Sequence, residues 1–210
     1  MIDKREDFNL GSLYYIDEII HKYGLSKKIK ILDIGCGSGN AVNYLVKKGF
    51  DITGIDISQE IIKEGREKYK NIDIRVMDSH YMDFEDNTFN IISLECSLSI
   101  MKDPNLVLSN CKKILKDKGV ILLSDFFFKN DSSEDENYTL EYWNKLYENL
   151  DLQIISFQDK SKEWRNYIGK VLWEYGDLTG LLRGCENCAL GENILSKDTG
   201  YFLVTLRKKG

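Results

Sequence analysis

The sequence predicts an α/β fold, a mostly parallel sheet of seven strands with helices on both faces. Three observations carry that expectation. Short β-branched runs alternate with helical patterns from residue 30 onward, the order that a helix-covered parallel sheet requires. The run Val120 to Phe126 is nearly all apolar, as a strand buried on both faces must be. The chain has 210 residues, 42% of them hydrophobic, enough for a single domain spanning residues 1–210 with a full core.

Each element has its own signal. Leu13, Ile16, Ile19 and Ile20 mark a helical segment within residues 1–29. The first strand is Ile31 to Ile34 and ends in a glycine cluster, followed by a helix through Ala41, Val42, Leu45 and Val46. A second strand covers Asp51 to Ile55, and Ser58 after it is a helix N-cap. Third and fourth strands cover Ile72 to Val76 and Phe89 to Leu94. The next helix is bounded by the cap Asp103, by Pro104 in its first turn and by Gly119 just past its end. Its apolar residues Val107, Leu108, Cys111, Ile114 and Leu115 form one buried face. After the fifth strand come a helix (Leu140 to Leu150), a sixth strand (Leu152 to Phe157) and an amphipathic helix carrying Trp164, Tyr167, Ile168, Val171, Leu172 and Tyr175. A last strand is Tyr201 to Leu206, which leaves residues 159–199 as a helical, lid-like insertion before it.

The formal net charge is -5, with both signs interleaved, so no basic stripe marks a nucleic-acid track. No apolar run approaches the roughly 20 residues that span a bilayer. The start MIDKREDFNL lacks the basic-then-apolar order of an export signal, and the cysteines number five, an odd count. The expectation is a cytoplasmic protein with reduced thiols.

The segment Ile31-Leu32-Asp33-Ile34-Gly35-Cys36-Gly37-Ser38-Gly39-Asn40 runs from a strand through Gly-x-Gly-x-Gly into a helix. Backbone of this kind can approach a ligand closely, because glycine has no Cβ and accepts positive φ. A dinucleotide loop reads Gly-x-Gly-x-x-Gly with a diphosphate at the helix start. Here the third glycine comes one place early, and Asp33 would repel a diphosphate. A carboxylate there can attract the amino group of a zwitterionic, sulfonium-bearing cofactor. Asp56 ends the second strand, where acidic side chains accept from ribose hydroxyls, and Ile57 beside it can cover an adenine face. Asp78, beyond the third strand, can accept from an adenine amino group. Turn glycines in a non-binding domain and a nucleotide site are the other readings of these residues.

Taken in order, DIGCGSGN, GIDIS, VMDS and MDFEDNTFNIISLE resemble the class I S-adenosylmethionine-dependent methyltransferases. The resemblance covers residues 30–130 well and the rest more loosely. It implies a Rossmann-like sheet whose last strand runs antiparallel, and S-adenosylmethionine as cofactor. It also implies that Asp33, Gly35, Cys36, Gly37 and Gly39 shape the methionine pocket, that Asp56 and Ile57 take the ribose and adenine face, and that Asp78 and Ser79 take the adenine edge. Glu95 and Cys96 would border the methyl group, and Tyr14 or Tyr15 would close over the cofactor. His80 reads as a surface histidine rather than a base.

The acceptor expected is a small molecule. Cys96, with the stretch after it, is similar to the corresponding part of arsenite methyltransferases, and Cys185 and Cys188 lie in the insertion. These three thiols are the candidates for a thiol, arsenic or selenium acceptor, because thiolates are soft ligands. No protein metal site is expected. The other readings are a cofactor-binding module without catalysis, and a methyltransferase acting on RNA or protein.

Overall fold

The computed structural model describes residues 16–22, 28–129, 138–176, 196 and 198–210. The elements in chain order are α1 (Ile16–Lys22), β1 (Lys30–Ile34), α2 (Asn40–Lys47), β2 (Asp51–Asp56), α3 (Gln59–Lys68), β3 (Asp73–Val76), β4 (Phe89–Glu95), α4 (Pro104–Ile114), β5 (Leu115–Phe128), α5 (Leu140–Asn149), β6 (Leu152–Asp159), α6 (Ser161–Tyr175) and β7 (Thr199–Lys208). One sheet runs β3-β2-β1-β4-β5-β7-β6. The first five of these strands pair in parallel, and β7 is antiparallel to both β5 and β6. The expected antiparallel last strand is therefore present, and β6 points the same way as β1 to β5.

Alternation along the strands sorts the core onto two faces. Leu32, Ile34, Ile92, Leu94, Ile121 and Leu123 pack with Val107, Leu108 and Cys111 of α4 and Trp143 of α5. Ile31, Ile52, Ile91, Val120 and Leu122 pack with Val42 and Leu45 of α2, Ile62 of α3 and Ile16 of α1. Because the central strands are buried on both sides, sequence alternation between apolar and polar is suppressed in them. The expected caps are made: Ser58 Oγ accepts from Ile61 N at 3.3 Å and Asp103 Oδ1 from Leu106 N at 2.9 Å. On α6 the apolar stripe is only partly covered, with Trp164 and Val171 buried and Leu172 exposed. Of the N-terminal helix signals, Leu13 lies outside the described residues.

One boundary differs from expectation. Gly119 does not end α4, which stops at Ile114, but sits inside β5. Leu115 pairs with Phe89 and is drawn into the sheet directly after the helix. A Cβ on Gly119 would come within 2.7 Å of Leu115 Cδ1 and 2.9 Å of the Asn90 carbonyl oxygen. The glycine is there for close approach to a neighbouring strand.

A brace at the carboxyl ends of the strands positions the segment after β4. Asp125, fully buried near the end of β5, accepts from Ser99 N at 2.9 Å, Ser99 Oγ at 2.7 Å and Phe126 N at 2.9 Å. Tyr138 adds a bond from its hydroxyl to the Ser99 carbonyl at 3.0 Å. Burial pushes the Asp125 carboxyl up to about 6, against the opposing pull of these hydrogen bonds.

Gly119→Ala forces a Cβ against backbone and is expected to destabilise by about 1–3 kcal/mol. Gly169→Ala, in α6 where a Cβ would meet nothing within 4 Å, is expected to stabilise by about 0.5–1 kcal/mol. Urea unfolding of both variants checks the opposite signs. For Asp125, a carboxyl raised in the folded state makes folding less favourable as pH climbs from about 4 to about 6, since only the unfolded chain releases the proton early. At about 1.4 kcal/mol per tenfold change in proton affinity, the loss is roughly 3 kcal/mol. Asp125→Asn cannot ionise, so the stability gap between variant and wild type should shift by about that amount, in the variant's favour, between pH 4 and pH 7. An unchanged gap in urea titrations at the two pH values counts against it.

Candidate functional site

The site is built where β1, β2, β3 and β4 end. After β1 the chain turns back under the carbonyl of Ile55, which accepts from Gly35 N at 2.8 Å and Cys36 N at 3.0 Å. Gly35 has φ +75°, and a Cβ there would lie 2.7 Å from Ser97 Cβ. Only glycine lets the β1 loop and the segment after β4 meet so closely. Gly37 has φ +54° with nothing within 4 Å of where a Cβ would project, so its face opens on free space. Gly39 is the N-cap residue of α2. Cys36 turns away from that space. Its sulfur packs on Gly54, whose Cβ position lies 2.8 Å from it, and bonds the Gly37 carbonyl at 3.5 Å. Burial pushes this thiol far up, with Asp33 and Asp56 adding to the shift. Cys36 thus contributes packing and backbone, with no thiolate.

Three carboxylates cluster around the loop. Asp33 is 3% exposed. Burial, followed by the like charges of Glu95 and Asp56, raises its carboxyl well above the usual range, while a bond with the Ser93 side chain pulls the other way. Asp56 ties two loops together, accepting from Gly37 N through Oδ2 and from Ser58 N through Oδ1, both at 2.9 Å. Beside it Ile57 is 70% exposed, an apolar side chain with its face uncovered at the rim.

The edge after β3 is a short turn of 3₁₀ helix, Ser79–Tyr81, capped by Asp78. Asp78 Oδ1 accepts from His80 N at 2.9 Å and from His80 Nδ1 at 2.6 Å. These two bonds hold the Asp78 carboxyl below its ordinary range, the backbone one first. Ser79 is buried, and its hydroxyl reaches Met101 Sδ at 3.5 Å. His80 is not the surface residue expected. Its side chain is 15% exposed, because Asp103 N donates to Nε2 at 3.1 Å while Asp78 holds the other ring nitrogen.

At the end of β4, Glu95 is half-buried and Cys96 has φ +49°, uncommon for a residue with a side chain. Cys96 N donates to the Ser124 carbonyl at 2.8 Å, and its thiol lies 3.8 Å from the Tyr201 hydroxyl. Tyr201 is fully buried, and its hydroxyl is raised well above its ordinary range by burial, then by Cys96 and Glu95. Ser97 Oγ bonds the Ile34 carbonyl at 3.1 Å, joining this segment to the base of the glycine loop.

The structure therefore gathers Asp33, Gly35, Gly37, Gly39, Asp56, Ile57, Asp78, Ser79, Glu95 and Cys96 at one end of the sheet. Tyr14, Cys185 and Cys188 lie outside the described residues. Cys111 is buried in the core, as its helical position implied. Among the described residues no group of three or more His, Cys, Asp or Glu is placed to hold a metal ion, and no helix is long and apolar enough to cross a membrane. Two residues of the site escaped sequence reasoning. Asp125 left a trace, the one acidic residue in the apolar run LLSDFFF. Tyr201 left none, because its place beside Cys96 depends on the antiparallel pairing of β5 with β7.

Comparison with known proteins gives concordant results. The sterol 4-C-methyltransferase strm-1 of Caenorhabditis elegans is 30% identical over 123 residues, 56% of this chain and 37% of that protein. The glycine/sarcosine/dimethylglycine N-methyltransferase of Actinopolyspora halophila is 25% identical over 187 residues, 80% of this chain and 33% of that protein. The chain thus spans about a third of the length of these two relatives. Among solved structures, the 4+2 cyclase SpnF superposes with a TM-score of 0.73 at 20% identity, covering 93% of this chain and 80% of that one; this is a likeness of fold. The model of the family described as "Methyltransferase domain" matches residues 25–172. That match runs through the glycine loop, the strand-end carboxylates and Cys96, and by it the chain belongs to the class I S-adenosylmethionine-dependent methyltransferases.

Proposed function

We propose that this protein transfers a methyl group from S-adenosylmethionine to a small-molecule acceptor. The observation that carries the reading is the open face of Gly37 set among the carboxylates of Asp33, Asp56 and Glu95. Burial, and after it the like charges of Glu95 and Asp56, raises Asp33 there, and a ligand bearing an ammonium and a sulfonium relieves the crowding of charge. The residues fit such a group. Asp33 and the glycine loop would hold its methionine part, Asp56 its ribose, Ile57 one adenine face, and Asp78 with Ser79 the adenine edge. Tyr14 would close over it.

When bound, the cofactor supplies a methyl group already activated by positive sulfur. What the protein adds is alignment. Glu95 and Cys96 border the place where acceptor and methyl carbon meet, and the brace from Asp125 to Ser99 keeps that segment from shifting. Holding two reactants in line is worth on the order of 7–11 kcal/mol of barrier. His80 is held at both ring nitrogens, by Asp78 and by the Asp103 amide.

The relatives named above are methyltransferases of a sterol and of glycine derivatives, which supports a small metabolite as acceptor. A finer reading is a thiol, arsenic or selenium acceptor, and the observation favouring it is the Cys96 thiol at the end of β4, with Cys185 and Cys188 as further candidates.

Two experiments test these readings. Titration calorimetry should detect binding of S-adenosylmethionine and S-adenosylhomocysteine. Asp33 is raised in the free protein and an incoming cation lowers it, so binding below the raised Asp33 pKa should release a proton. Affinity should accordingly fall as pH drops through the raised Asp33 pKa. Heats measured in buffers of different ionisation enthalpy should show the release in wild type and not in Asp33→Asn; no binding of either ligand removes the proposal. For the finer reading, wild type should methylate arsenite or selenite with labelled cofactor, and Cys96→Ser should bind cofactor normally and lose that transfer. A wild type inert toward both leaves the metalloid acceptor without support.

A further inference from the structure

We infer that His80 is a specificity-determining positioning residue, the group that sets Asp78 to select adenine over a 6-oxopurine. The inference rests on the reading that Asp78 accepts from the adenine amino group. Asp103 N donates to His80 Nε2, so in the neutral ring Nε2 carries the lone pair and Nδ1 carries the proton. Nδ1–H then donates to Asp78 Oδ1, and the His80 backbone N–H donates to the same oxygen. Two donors on one oxygen fix the orientation of the carboxylate, and they leave Oδ2 with no hydrogen bond among the described residues. An ionised carboxylate accepts from an exocyclic amino group and repels a carbonyl oxygen in the same place.

The bridge is anchored from the far side of the site. Asn110, on α4, donates through Nδ2 to the carbonyl of His80 at 2.9 Å and to that of Ser79 at 3.4 Å. Asp103 caps the same helix through its own side chain. The N-terminal turns of α4 thereby hold the Ser79–Tyr81 turn, and the imidazole passes that constraint to Asp78. A histidine suits the task because its two nitrogens donate and accept at once, at opposite ends of one rigid ring.

The test compares binding of S-adenosylhomocysteine with that of S-inosylhomocysteine, in which a carbonyl replaces the amino group. In wild type the adenosyl ligand should bind about tenfold to a hundredfold more tightly, the range for a hydrogen bond to a charged acceptor. Two variants divide the bridge. His80→Asn places an amide donor where Nδ1 stood and should keep most of the preference. His80→Gln places an amide oxygen where Nε2 stood, keeps the Asp103 contact and should lose the preference; loss in both variants assigns the whole bridge. Equal weakening of both ligands with the ratio intact would mean a merely structural role and overturn the inference. A wild type that does not discriminate, or binds neither ligand, overturns the adenine assignment of Asp78 and this inference together. A normal ratio in wild type with an undisturbed ratio in His80→Gln overturns this inference alone. Nitrogen NMR of the wild-type ring needs no variant and should find Nδ1 protonated; protonation at Nε2 in the neutral ring is the contrary result.

Discussion

Gly35 and Ser97 stand so close that a single added carbon, 2.7 Å from Ser97 Cβ, would drive them apart. This contact sets the spacing between the loop that would hold a cofactor and the segment that would hold its acceptor. Neighbouring hydrogen bonds keep it in place: Ile55 O takes two amides of the glycine loop, and Ser97 Oγ reaches back to Ile34 O. Asp125 then secures the same segment from β5. Because the parallel strands end together, these bonds assemble side chains from four strands into one site.

The electrostatics of that site have one direction. Asp33, Asp56 and Glu95 bring like charges together under partial burial, an arrangement that costs stability unless a cation arrives. Asp56 limits the cost locally by accepting two backbone amides. Burial and the charges of Glu95 and Asp56 raise the Asp33 carboxyl, with the Ser93 side chain pulling the other way. Under the proposed function a zwitterionic sulfonium would relieve this crowding, whereas a phosphate-rich nucleotide would add to it.

Much of the fold was legible because its signals are local. The strand into Gly-x-Gly-x-Gly, the caps Ser58 and Asp103, and the apolar face of α4 each depend on residues within a few turns of one another. Gly119 misled for the same reason: glycine after a helix reads as a stop, whereas the actual demand came from the Asn90 carbonyl on the neighbouring β4 and from the Leu115 side chain earlier in β5. His80 read as surface because its second partner, Asp103 N, lies 23 residues away.

By itself the sequence determined which segments become strands and helices, where the chain turns on glycine, and which strand ends carry carboxylates, since periodicity and turn chemistry are properties of neighbouring residues. Tertiary structure alone decided that His80 bridges Asp78 to α4, that Asp125 braces Ser99, and that Tyr201 lies against Cys96 across a separation of 105 residues. Those contacts join groups that only the strand order brings together, and no local pattern states which distant amide or hydroxyl will face a given side chain once the sheet has closed.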